Sequence, residues 1–221
     1  MQALVGGNMG VGKDNLAKKA EEIGKIEHYK MAFGAAFLEE GATPEKLVKA
    51  LASYMRTLVC DDTAYDRYAA GKKDALSAEQ KRGLELFMGK AGCVACHTPP
   101  FFSSAYIVRE GAYFNVGIGF ESKHEAEIDV GRKKISNAEV DFGAFKVPTL
   151  RNVTKSAPYF HDGSRAKLED AVRFMASGGF KNEHLTPLMV DRKLSDADVT
   201  NIVSFLGALE CKPLAKPLGA W

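Results

Sequence analysis

Apolar residues recur at helical spacing over four stretches of the chain. In "TPEKLVKALASYMRTL", residues 43–58, Leu47, Val48, Leu51, Met55 and Leu58 share one face, Thr43 stands at the N-cap and Pro44 suits the first helical position. "LSAEQKRGLELF", residues 76–87, opens on a capping box from Ser77 to Gln80. "SRAKLEDAVRFMASGG", residues 164–179, reads as a helix capped by Ser164 and stopped by Gly178 and Gly179. "LSDADVTNIVSFLGAL", residues 194–209, opens on Ser195 and Asp198 and lines Val199, Ile202, Val203, Leu206 and Leu209 along one side. A further helix is expected from near Asn15, after a Gly-rich lead.

Residues 98–146 break this pattern. They are rich in Gly and aromatic residues, hold no sustained helical period, and predict a long insertion of loops with a short hairpin. An insertion of that length within a compact domain usually serves function. Gly83 and Phe87 stand ten and six residues before Cys93. A glycine on a helix lets a second helix cross close by, and the aromatic one turn on packs beside the crossing. The last helix, with Phe205, is the natural partner, and the spacing resembles the helix pair of the small class I cytochromes c. The expected fold is mainly α: an N-terminal helical segment over 1–75, then a class I cytochrome c-like haem domain over 76–221 that carries the insertion 98–146.

Composition narrows the class. With 46% hydrophobic and 26% charged residues among 221, the chain is an ordinary globular one. A net charge of +2 suggests neither a nucleic-acid partner nor a membrane surface, and no apolar run approaches the ~20 residues of a membrane span. The opening "MQALVGGNMG" has no basic n-region and no long apolar h-region.

The chemistry centres on "AGCVACHTPP", residues 91–100. Cys93-x-x-Cys96-His97 is the attachment signature of a c-type haem, with two thioether links and His97 as one axial ligand. One such motif implies one covalent haem c. Haem attachment of this kind takes place outside the cytoplasmic membrane, so the expected compartment is the periplasm, with the export signal not in this sequence. Cys60 and Cys211 remain as an even pair, each after a predicted helix. They form either a disulfide or two small buried hydrophobes.

"GGNMGVGKD" near the start imitates a phosphate-binding loop through Gly7, Gly12 and Lys13. That chemistry needs Ser or Thr next, where this chain has Asp14, and no parallel-sheet pattern follows. A flexible lead into the first helix is the better reading.

The second axial position has six candidates: Met175, Met189, His161, His184, His124 and His28. Leu168, Val172 and Met175 fall on one helix face that suits a haem plane; the plain alternative is a core methionine. Met189 follows Pro187 in a loop, the setting from which class I cytochromes take their methionine. His161, in "PYFHDG", reads better as a hydrogen-bonding residue near the haem edge, and the other three histidines as surface residues. Arg151 is a candidate partner for a haem propionate, because guanidinium matches carboxylate in a fork. Pro99 and Pro100 set the loop after His97, where a backbone carbonyl would hold the ring through its Nδ1 proton.

Over about residues 43–210 the chain resembles the C-terminal, electron-transfer half of the bacterial dihaem cytochrome c peroxidases and the MauG-type enzymes. The resemblance rests on "YDRYAAGKKDALSAEQKRGLELF", "CVACHTPPFF", "FNVGIG", "DVGR", "FKVPTLRNVTKSAPYFHDGS" and "LEDAVRFMASGG". It implies Met175 as the axial ligand, since the family's high-potential haem takes Met or Tyr from that position. It implies calcium held by main-chain carbonyls around Ser156 and Pro158. It also implies a catalytic Glu beside a second, peroxidatic haem; the matching stretch here is "GGNMG", with Asn8 at the acid position, and an amide cannot shuttle a proton as a carboxylate does.

Three functions follow as expectations. The first is one-electron transfer through a single His97/Met175 haem, with a small cytochrome c or cupredoxin as partner and little peroxidase activity in the isolated chain. The second is the electron-accepting half of a hydrogen peroxide reductase, completed by a peroxidatic haem domain elsewhere. The third is a haem-based redox or gas sensor.

Overall fold

The computed structural model describes residues 4, 11–39, 41–108, 111–121 and 127–211. The chain divides into two compact units, Met1–Val59 and Cys60–Trp221.

The first unit holds α1 (Leu16–Gly24), α2 (Glu27–Phe37) and α3 (Pro44–Thr57). Thr43 caps α3 by accepting from the Lys46 backbone at 3.2 Å, with Pro44 in the first turn as expected. Leu16, Ala20 and Phe33 are buried, and Phe33 stacks on Phe37 at 5.7 Å. The apolar face read from the sequence of α3 is only partly covered. Leu47 and Val48 are half-buried, while Leu51, Met55 and Leu58 are exposed. Periodicity shows which face is apolar, not what lies against it.

The second unit holds α4 (Ala64–Ala69), α5 (Ala78–Met88), α6 (Lys133–Ser136), α7 (Leu168–Ala176) and α8 (Asp196–Gly207). Residues 60–75, expected with the N-terminal segment, fall in this unit, because Tyr65 packs edge-on against Phe102 at 4.8 Å and Phe205 at 6.0 Å. Ser77 and Ser195 each close a full capping box, with Gln80 and Asp198. Along α8, Val199, Ile202, Phe205 and Leu206 are buried, and Leu209 just beyond it has no exposed surface. Phe87, Phe102 and Phe205 meet edge-on or tilted, with centroids 5.3–6.0 Å apart, at the centre of the core.

Cys60 and Cys211 are joined as a disulfide, their Cα atoms 5.3 Å apart, so the two readings left open by the sequence resolve to the bridge. It ties together two segments 151 residues apart.

The insertion is closed by a two-residue ladder, not a hairpin. β1 (Tyr113–Phe114) runs antiparallel to β2 (Phe145–Lys146), pairing Tyr113 with Lys146 and Phe114 with Phe145. Buried Asn115 donates to the Phe142 carbonyl at 2.8 Å and accepts from the Gly117 backbone at 2.8 Å. The insertion seats on the end of α7 through two glycines. A Cβ on Gly117 would lie 2.2 Å from the Phe180 carbonyl oxygen, and one on Gly179 would lie 2.2 Å from that of Val116. Both have positive φ, so only glycine allows this crossing without strain.

One boundary differs from the sequence reading. α7 begins at Leu168 with Lys167 at its N-cap and no side-chain cap. Ser164 lies in the preceding turn, where its backbone N–H donates to Asp162 at 3.0 Å. An isolated antiparallel bridge, Tyr159 to Arg165, keeps that segment extended.

Candidate haem site

A cavity of about 650 Å³ lies inside the second unit. Its first wall is the turn that carries the haem motif. The backbone N–H groups of Cys96 and His97 both donate to the Cys93 carbonyl, at 3.2 and 2.8 Å, and this wraps the turn so that Cys93, Cys96 and His97 all line the cavity. Neither cysteine is in a disulfide. Burial pushes the Cys93 thiol up to about 11, against the pull of a backbone hydrogen bond and the Arg192 charge, and burial also raises Cys96. Thiols kept neutral on an apolar wall suit thioether attachment to a porphyrin better than thiolate ligation of an ion. Among the described residues no cluster of three or more His, Cys, Asp and Glu is arranged to hold a metal ion.

His97 Nδ1 lies 3.0 Å from the carbonyl oxygen of Phe102. The expected carbonyl contact exists, supplied two residues beyond the Pro99-Pro100 pair. Burial lowers the His97 pKa, while the carbonyls of Phe102 and Pro148 oppose that shift. A neutral ring that donates through Nδ1 keeps Nε2 as its lone pair, which is the form an iron ligand needs.

Helix α7 also lines the cavity. Leu168, Val172 and Met175 all line the cavity, as their shared helix face predicts. Of the six candidates for the second axial position, Met175, Met189 and His161 are on the wall. Met189 packs its methyl end beside Gly179, where a Cβ would meet it at 3.0 Å. His161 is exposed at the cavity and stacks on Phe145, centroids 3.7 Å apart and planes 16° apart. His184 is half-buried against Phe142 at 5.6 Å, off the wall rather than on the surface as expected. His28 is exposed in the first unit, and His124 and Asn8 lie outside the described residues.

Arg151 does not face the cavity. Its guanidinium grips Asp66 with two bonds of 2.7 and 2.8 Å and donates twice to the Pro100 carbonyl, at 2.8 and 3.1 Å. The fork read from the sequence is real, but its carboxylate belongs to a side chain. Among the described residues, the fixed cations that line the cavity are Lys146 and Arg192, neither of which was a candidate site residue in the sequence. Ser156 and Pro158 also line the cavity. The Ser156 hydroxyl donates to the Val153 carbonyl at 2.9 Å.

Comparison with known proteins agrees with this geometry. The family model described as di-haem cytochrome c peroxidase matches residues 6–74. The methylamine utilization protein MauG of Methylorubrum extorquens is 34% identical over 189 residues, which cover 85% of this chain and 49% of that protein. The cytochrome c551 peroxidase of Nitrosomonas europaea is 32% identical over 187 residues, 85% of this chain and 51% of that one. The chain belongs to the dihaem cytochrome c peroxidase and MauG family. It spans about half the length of these curated relatives. A solved MauG-like protein associated with microbial copper homeostasis superposes with a TM-score of 0.79 at 27% identity, covering 93% of this chain and 65% of that one. Membership supports haem c as cofactor, and the mainly helical fold is shared. Among the described residues, no helix is long and apolar enough to cross a membrane.

Proposed function

We propose that this chain is a periplasmic electron-transfer protein that holds one haem c through Cys93 and Cys96, with His97 and Met175 as axial ligands. The observation that carries the reading is the cavity itself, which is lined both by the CxxCH turn and by the Leu168–Val172–Met175 face. When bound, the haem supplies a one-electron ferric/ferrous couple, and a thioether ligand favours the ferrous side and raises the potential. The chain's own residues hold the ring, keep His97 neutral and exclude water with an apolar lining. Lys146 and Arg192, which line the cavity, would be the cations available to pair with the propionates. A small cytochrome c or cupredoxin is the proposed partner.

A second reading has support from the relatives' names, several of which are cytochrome c peroxidases. In it, the chain feeds electrons to a peroxidatic haem outside this sequence.

The test is made on the purified holoprotein. Haem staining and intact mass are expected to give one covalent haem. The reduced protein should exchange electrons rapidly with small mediators yet consume hydrogen peroxide hardly faster than free haem. Saturable peroxide turnover at roughly tens per second, within the ordinary enzyme range, would overturn the carrier reading.

A further inference from the structure

We infer that Arg151 and Thr149 are positioning residues that set the reduction equilibrium of the haem by fixing the Phe102 carbonyl on His97. The inference rests on the reading above that His97 ligates the iron.

Phe102 is the unusual residue. It has no exposed surface and a φ of +52°, a left-handed conformation that a bulky side chain seldom adopts. Such strain persists only where the surroundings over-determine it. Here the ring is enclosed by Tyr65 at 4.8 Å and Phe87 at 5.8 Å, with the Arg151 guanidinium 5.9 Å from its centroid. What the conformation achieves is the direction of one carbonyl, 3.0 Å from His97 Nδ1.

The two preceding carbonyls are held from one neighbouring segment. Arg151 donates to Pro100 through Nε and a terminal nitrogen, and the Thr149 hydroxyl donates to Phe101 at 2.6 Å. Just beyond, buried Ser103 returns a bond to the Val147 carbonyl at 2.7 Å. The loop is therefore fastened on both sides of Phe102. Arg151 is itself anchored by Asp66, whose carboxylate also accepts from the Thr63 backbone and hydroxyl at 2.9 and 2.7 Å. Only a planar guanidinium can grip a carboxylate with two parallel bonds and still reach the Pro100 carbonyl with others.

A carbonyl on Nδ1–H makes the imidazole a stronger donor and fixes its orientation. A stronger donor favours ferric iron. If the clamp is loosened, the carbonyl retreats, ferric iron loses support and the equilibrium moves toward the ferrous form.

The experiment is a spectroelectrochemical titration of the holoprotein and its variants. Arg151→Gln is expected to shift the reduction equilibrium constant roughly tenfold toward ferrous, which is about +59 mV for one electron. Thr149→Val should shift it in the same direction and by less, Thr149→Ser should restore it, and Arg151→Lys should not. In a Met175→Ala background the iron–histidine stretching band of the ferrous protein should move to lower frequency when either clamp residue is removed. Should Arg151→Gln fail to fold, the Thr149 pair decides alone. An iron–histidine band present in the ferrous Met175→Ala protein, with band and equilibria unmoved in folded clamp variants, would overturn the clamp while leaving the ligand reading intact. Absence of that band from the ferrous Met175→Ala protein would overturn both.

Discussion

The carbonyl oxygen of Asn201 occupies the space that a Cβ on Gly83 would need, 1.9 Å from it. The Phe205 Cβ, one turn along the same helix, would be 2.7 Å away. Both obstacles are backbone or next to it, so neither can swing aside, and helix α5 would have to back away from α8. The Gly83→Ala variant is expected to lose roughly 1–3 kcal/mol of stability, more than offsetting the gain in helix propensity. Gly207→Ala, on the same α8 with nothing within 4 Å of the new Cβ, should be neutral or mildly stabilising. Urea midpoints at unchanged m would measure both, and equal midpoints for the two variants would contradict the crossing.

The Cys60–Cys211 bridge closes a loop of 151 residues, long enough for a large restriction of the unfolded chain. Replacing both cysteines by serine is expected to cost about 2–5 kcal/mol. The haem spectrum under native conditions should not change, because neither sulfur lines the cavity. Denaturation with and without reductant checks this, and a loss below about 0.5 kcal/mol would mean that the reduced unfolded chain is already compact.

Asp66 gives a pH signature. Its hydrogen bonds from Arg151, with further ones from Thr63, hold its carboxyl down at about 2 against an ordinary 3.8. A depressed carboxylate stabilises the fold above its unfolded pKa, and that stabilisation fades as pH falls toward the folded value. The contribution, allowing for partial solvent access, is about 1–2 kcal/mol. It should be fully present at neutral pH and fade between about pH 4 and pH 2. The stability gap between the parent and Asp66→Asn should close over that window, and a gap independent of pH there would show that Asp66 is not the titrating group.

Local rules made part of this legible in advance. Ser77 with Gln80 and Ser195 with Asp198 are capping boxes whose partners sit three residues apart, and both formed. The Gly83–Phe87 spacing foretold the α5–α8 crossing because both residues lie on one face of one helix. Readings that depended on distant partners fared differently. Arg151 was legible as a fork but not in its target, since Asp66 is 85 residues away. Ser164 was a plausible cap until the Tyr159–Arg165 bridge held its segment extended. The left-handed Phe102 left no trace in "TPPFF", because its conformation is enforced by Tyr65, Phe87 and Arg151 from elsewhere in the chain. Lys146 lies in the "FKVPTLRNV" run and Arg192 in no motif, and neither position shows from sequence that it lines a cavity; only the fold brings them to one lining.

The second axial ligand is the assignment on which the carrier reading turns, and two methionines line the same cavity. Met175 sits on the α7 face that Leu168 and Val172 also present to the cavity, whereas Met189 is packed by its methyl end against Gly179. A helix-borne thioether is held more rigidly than a loop-borne one, and rigidity favours ligation without a cost in ordering. Met175→Ala is expected to convert a low-spin ferric haem into a high-spin or water-bound one. The far-red band of sulfur-to-ferric charge transfer should vanish, and the potential should fall, because a ligand that favours ferrous iron has gone. Met189→Ala should retain the low-spin spectrum and the band, losing only packing around the end of α7. Absorption spectra of the two ferric variants, recorded side by side, decide the matter. An unchanged Met175→Ala with the band lost in Met189→Ala would transfer the ligand to the loop and leave Met175 as an ordinary core methionine.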